Sequence, residues 1–162
     1  MSEIGEEDLS VVLNHAYFYL KFRLRSRKEM QDYLGRKAEK YHWPLSVVEA
    51  GLKKLEQLGL LNDHEFTRAF VESRRARRPK SDFVLRRELL RFGITEETIG
   101  QYLSEHPSDE EALAALALSR KWPQYGDLNK QKRFARAAAF LTRRGFSFDI
   151  IKKVIAKNQE EE

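Results

Sequence analysis

The chain has 162 residues, of which 41% are hydrophobic and 34% charged, with a net charge of +5. That is room for one large domain or a row of small ones, with much surface exposed per residue. The absence of cysteine excludes a disulfide framework, a thiolate metal site and a cysteine nucleophile. No apolar run approaches the ~20 residues of a membrane span. The start, Met1 to Asp8, lacks the charged-then-apolar order of a signal peptide, so no membrane association and a cytoplasmic location are expected.

The first nine residues, 1–9, are acidic and expected to be flexible. Glu3, Glu6, Glu7 and Asp8 stand there, and Glu160, Glu161 and Glu162 close the chain. Between them, Leu9 to Gln159 carries 30 basic and 18 acidic residues, a net +12. A basic body with acidic ends points to a polyanionic partner or an acidic protein groove.

Nine helices are predicted in chain order: 10–24, 27–40 and 45–58; 63–77, 82–92 and 96–105; 109–121, 130–144 and 148–158. The starts are marked by capping chemistry. Ser26 to Glu29, Ser46 to Glu49 and Ser108 to Glu111 read as capping boxes, and Asn62 to Glu65 is an Asn variant. Thr95 and Ser147 cap later helices, each behind an apolar Ile94 or Phe146. Gly59, Gly93 and Gly145 mark stops, and Arg78-Pro79-Lys80 and Trp122-Pro123 break longer patterns. No strand or hairpin signal is present.

The phrase Phe92-Gly93-Ile94-Thr95 returns 52 residues later as Arg144-Gly145-Phe146-Ser147, and His42-Trp43-Pro44 is a weaker copy. A period near 50 suits a unit of three helices. An all-α, elongated tandem array of three three-helix repeats is therefore predicted: 10–61, 62–107 and 108–158, ending in an acidic tail, 159–162. The first repeat reads as carrying about four extra residues before Trp43. Tyr17, Phe18, Tyr19, Phe22 and Tyr33 crowd it. Base stacking is conceivable on such rings, but Phe18 and Phe22 at i, i+4 spacing argue for burial.

Catalysis finds no footing. His15, His42, His64 and His106 are isolated, without the i, i+4 partner of a helical metal site. Phosphate-binding glycine loops and nucleophile elbows are absent. No catalytic residue, metal or cofactor is expected, and the chain reads as a binding protein.

The sharper signal is basic. Arg74, Arg75, Arg77, Arg78 and Lys80 fall within seven positions. Cations are favoured at a helix C-terminus, yet five exceed what that effect needs. On the next helix Leu85, Leu89 and Phe92 form the core stripe, with Arg87 and Arg91 opposite. On the eighth, Phe134, Ala137, Ala138 and Leu141 face the core, while Lys132, Arg136 and Arg143 project away, with Arg144 following. A shared basic ridge could track phosphates or an acidic groove; a solvated helix face is the plain alternative.

From about Ala16 to Ile155 the chain resembles the RecX family, regulators of the bacterial recombinase RecA. The resemblance rests on Arg25 to Met30 with Leu34, and on Gly59-Leu60-Leu61-Asn62-Asp63 with Phe66, Ala69, Phe70, Ser73 and Arg74. It continues in Arg86 to Leu89 with Phe92-Gly93-Ile94, and in Lys132 with Phe140 to Ser147. The chain departs from the pattern at Ala76 to Ser81, where the family often has a Gly-rich turn, and at Val84-Leu85. A monomer is expected, and the resemblance implies that it lodges in the groove of the RecA filament on DNA and hinders its growth. It thereby lowers recombination, strand exchange and SOS-type coprotease activity. Contact with single- or double-stranded DNA would be weak or indirect. The alternative is a stand-alone DNA-binding helical module, against which Glu96 and Glu97 at the start of the sixth helix argue.

Overall fold

The computed structural model describes residues 5–162 and, among them, contains nine α-helices and no strand. In order these are α1 (Glu6–Leu20), α2 (Arg27–Tyr41), α3 (Leu45–Gln57), α4 (Asp63–Arg77), α5 (Asp82–Arg91), α6 (Glu96–Glu105), α7 (Glu110–Lys121), α8 (Lys130–Arg143) and α9 (Phe148–Glu160). A short 3-10 turn, Trp122–Tyr125, follows α7. The all-α tandem helical fold predicted from the sequence is present. Residues 1–4 of the predicted acidic N-terminus lie outside the described residues.

α1 begins and ends about four residues before the predicted 10–24. Glu6, Glu7 and Asp8 occupy its first turn, where their charges complement the helix dipole. Ser26 forms the predicted capping box: its hydroxyl accepts from Glu29 N–H, and the Glu29 carboxylate accepts from Ser26 N–H. Two other predicted boxes do not form. α3 starts after Pro44, which places Ser46 inside its first turn. At α7 the cap is Asp109, whose carboxylate accepts from Ala112 N–H, while Ser108 donates to Asp82 instead.

The three copied turns share one geometry. Gly93 and Gly145 adopt φ of +77° and +88°, and His42 adopts +59°. After each, a backbone N–H reaches back five residues: Trp43 to Ala38 O, Ile94 to Leu89 O and Phe146 to Leu141 O, at 3.0, 3.1 and 3.2 Å. This is the hydrogen bond of a left-handed helix stop. Aligned on it, sixteen residues separate Ser26 from His42 and Asn129 from Gly145, but twelve separate Ser81 from Gly93. The expected insertion in the first repeat is thus a deletion of one turn in α5. His42 holds a conformation that costs an L-residue about 1–2 kcal/mol. His42→Gly is expected to raise stability by about 1 kcal/mol, read as a higher urea midpoint at unchanged slope.

The chain divides into two compact units. The first comprises residues up to Thr67 together with Leu89–Thr98. Its core joins Val12 and Ala16 of α1, Met30, Leu34 and Ala38 of α2, and Val47, Val48, Leu52 and Leu55 of α3. Tyr19 stacks on Tyr33 at 4.0 Å and both are half-buried, as predicted. Phe18 and Phe22 are not buried: they are 62% and 67% exposed. α1 turns Val12 and Ala16 to the core, and Phe18, about 200° further round, cannot follow.

The second unit comprises Arg68–Glu88 and Ile99–Glu162. Its core gathers Ala114, Ala117 and Leu118 of α7, Tyr125, then Ala137, Phe140 and Leu141 of α8, and Phe146, Ile151, Val154 and Ile155.

One docking device is used in both units. In the first, Ser26 Oγ donates to Phe92 O at 2.6 Å, and Arg27 N–H donates to Asp63 at 2.9 Å. In the second, Ser81 N–H donates to Arg144 O and Asp82 N–H donates to Glu110, each at 2.9 Å. The start of one helix thus sits on the carbonyl before a left-handed glycine, and an acid from another helix satisfies its first free amide.

Candidate functional site

The second docking contact builds the site. Because Ser81 N–H is bonded to Arg144 O, the α4–α5 turn lies against the α8–α9 turn. Two basic stretches more than sixty residues apart in sequence therefore meet: Arg74 to Lys80, and Arg143 with Arg144. A Cβ on Gly145 would collide with Ser81 Oγ and Val84 Cγ2, so the approach requires glycine.

Four of the candidate cations are committed to the fold. Arg74 stacks over Phe70 at 4.4 Å and pairs with Glu88 at 3.7 Å; Lys80 pairs with the other oxygen of Glu88. Arg75 binds Asp82 at 3.2 Å and donates to His106 O at 2.8 Å. Arg144 stacks over Phe140 at 5.0 Å. Its guanidinium is held below its ordinary pKa, chiefly by burial and then by the neighbouring Arg78, against which Glu88 pulls it upward; Arg143 lowers it further. Burial is thus the main cost on this guanidinium, and the nearby Arg78 and Arg143 add to it.

Arg77, Arg78, Lys132, Arg136 and Arg143 are exposed and form no ion pair among the described residues. Arg87 is also exposed and lies over Phe83 at 5.8 Å. Lys132, Arg136 and Arg143 share one face of α8, since seven residues return the helix to nearly the same direction. Arg91 is exposed too and belongs to the first unit.

Sequence reasoning missed two participants and one correspondence. Glu88 is the acid against which Arg74 and Lys80 are arranged, and its partners lie eight and fourteen positions away. Arg120 of α7 donates to Arg77 O at 2.7 Å and Ala76 O at 2.9 Å, closing the end of α4. Lys40 precedes His42 as Arg91 precedes Gly93 and Arg143 precedes Gly145, a correspondence visible once His42 is aligned with the glycines. At the C-terminus, Glu162 accepts from Trp122 Nε1 at 2.9 Å and pairs with Arg133, not with the predicted ridge.

Comparison with known proteins gives the arrangement a lineage. The family model described as RecX, second three-helix domain, matches residues 62–103, and the RecX third three-helix domain matches residues 109–155. The Regulatory protein RecX of Chlorobium phaeobacteroides (strain BS1) is 32% identical over 133 residues, which cover 82% of this chain and 83% of that protein. Its namesake in Bacillus pumilus (strain SAFR-032) is 34% identical over 148 residues, 89% of this chain but 55% of that protein. The chain thus spans little more than half the length of the Bacillus relatives it matches. The crystal structure of RecX from Lactobacillus salivarius superposes with a TM-score of 0.72 at 24% identity, covering 93% of this chain and 96% of that one. That likeness is one of fold.

Proposed function

The chain belongs to the RecX family of regulatory proteins, and from that premise we propose that it is a non-enzymatic, mainly negative modulator of the RecA recombinase. It binds in the groove of the RecA–DNA filament and opposes its growth, in the cytoplasm and as a monomer. RecA ATPase, strand exchange and coprotease activity fall in consequence. Residues 10–61, 62–107 and 108–158 serve as three helical repeats between acidic ends, and contact with DNA is secondary to contact with protein.

The observation that carries this reading is the division of labour among the cations of the second unit. Arg74, Arg75 and Lys80 are paired with Glu88 and Asp82, and Arg144 is stacked on Phe140. Arg77, Arg78, Arg87, Lys132, Arg136 and Arg143 stand outside it, exposed and without acids to neutralise them. Such a face suits an acidic groove, and its charges act mainly on association and register. Duplex readout is disfavoured, because α6 opens with Glu96 and Glu97, both exposed, where a recognition helix would meet phosphates.

The test is the DNA-dependent ATPase of RecA on single-stranded DNA in the presence of this protein. The rate is expected to fall; an unchanged rate at equimolar protein would contradict the proposal.

A further inference from the structure

The exposed rings of the first unit have no part in the basic cluster described above. Phe18 and Phe22 meet edge to face, with centroids 5.5 Å apart and planes at 84°, and they are 62% and 67% exposed. Two rings in mutual contact, each more than 60% exposed, form a contiguous apolar patch.

Cations alternate with these rings. Lys21 is exposed between them, and Arg23 follows, its guanidinium 5.8 Å from the centre of Phe92. The Ser26–Phe92 hydrogen bond holds the Arg91–Phe92 segment beside this stretch, which adds the exposed Arg91. The nearby acid is Glu29, and its carboxylate is already engaged: it pairs with Arg23 at 2.5 Å and Arg25 at 3.9 Å, and accepts from Ser26 N–H at 3.0 Å. The surface is therefore aromatic and cationic, and the Glu29 carboxylate beside it is already paired.

Open ring faces interleaved with positive charge match a ligand that alternates flat bases with phosphates. A duplex does not fit, because its bases are stacked on each other and offer no free face. Single strands do fit, and stacking on exposed aromatics is tolerant of sequence. We propose that Phe18 and Phe22, with Lys21 and Arg91 binding phosphates, form a single-stranded nucleic-acid site on the first unit. The site does not depend on the RecA reading, since it is argued from free side chains alone.

Fluorescence anisotropy of the whole protein with labelled oligo(dT), beside a hairpin duplex of equal charge, tests it. The single strand is expected to bind more tightly than the duplex. Phe18→Ala with Phe22→Ala should weaken oligo(dT) binding at least about tenfold while leaving the salt slope unchanged. Lys21→Gln with Arg91→Gln should instead flatten the slope, by about 0.7 for each phosphate that is no longer neutralised. A thermal melt checks folding. If the alanine pair lowers it, Phe18→Leu with Phe22→Leu keeps the apolar volume and removes the stacking face. Three results would overturn the site: no binding of oligo(dT) by the parent protein at low salt, ring variants that bind it as tightly as the parent, or an equal loss on the duplex. Ring variants that lose RecA-filament binding but keep oligo(dT) binding would also overturn it, and would make the patch a protein-docking surface.

Discussion

Replacing Gly145 with alanine is expected to destabilise the second unit by about 2–5 kcal/mol. Two costs combine. At φ +88° an L-side chain sits in the left-handed region, at about 1–2 kcal/mol. The new methyl would also strike Ser81 Oγ and Val84 Cγ2, and Ser81 is fully buried, so neither neighbour can retreat without moving the start of α5. Overpacking of that kind costs about 1–3 kcal/mol. The Ser81–Arg144 hydrogen bond would be strained in the same movement. Gly59→Ala supplies the control: φ is +71°, but nothing lies within 4 Å of the added Cβ, so only the conformational cost of about 1 kcal/mol remains. Chemical denaturation followed by circular dichroism should separate the two variants. Equal losses would mean that the α4–α5 and α8–α9 turns are not tightly docked.

Reversing the exposed cations of the second unit should lower RecA inhibition at least about tenfold with no loss of helicity. The variant is Arg78→Glu, Arg87→Glu, Arg136→Glu and Arg143→Glu. None of the four forms an ion pair among the described residues, and all are exposed, so stability has little to lose. The effect should lie mostly in the association rate and shrink as salt is raised, because exposed charges are screened over about 10 Å at 0.1 M. Changing Arg74 or Lys80 is a different experiment. Each leaves Glu88 with an incomplete set of partners, and the result would be read first in stability. Inhibition that survives the fourfold reversal at low salt would remove the basic face from the mechanism.

Much of the fold was legible because its signals are local. The Ser26 capping box, the stops at Gly93 and Gly145, and the return of Phe92–Thr95 as Arg144–Ser147 each depend on residues within one or two turns. The misread starts at Ser46 and Ser108 have a common cause: Pro44 and Asp109 compete for the same role one or two positions away. His42 was harder, since a histidine in the left-handed region has no marker beyond its neighbours Trp43 and Pro44.

The candidate site was legible only as a set of cations. Which are structural depends on Glu88, Asp82 and Phe140, whose partners are set by tertiary packing. The exposed Phe18–Phe22 pair was misjudged because i, i+4 spacing shows that two rings share a face, not that the face is covered. The partner of that face is decided by the Val12 and Ala16 side of α1, which claims the core.

The central claim is that this chain acts on an assembled filament rather than on free DNA. The most direct measurement is the RecA ATPase rate on single-stranded DNA, titrated with this protein well below one copy per RecA protomer. The DNA concentration is held high enough that competition for free strand cannot matter. A filament modulator stops many protomers with few molecules, so the rate should fall steeply at substoichiometric ratios. A fall that tracks occupancy of the DNA, or no fall even in excess, would contradict it.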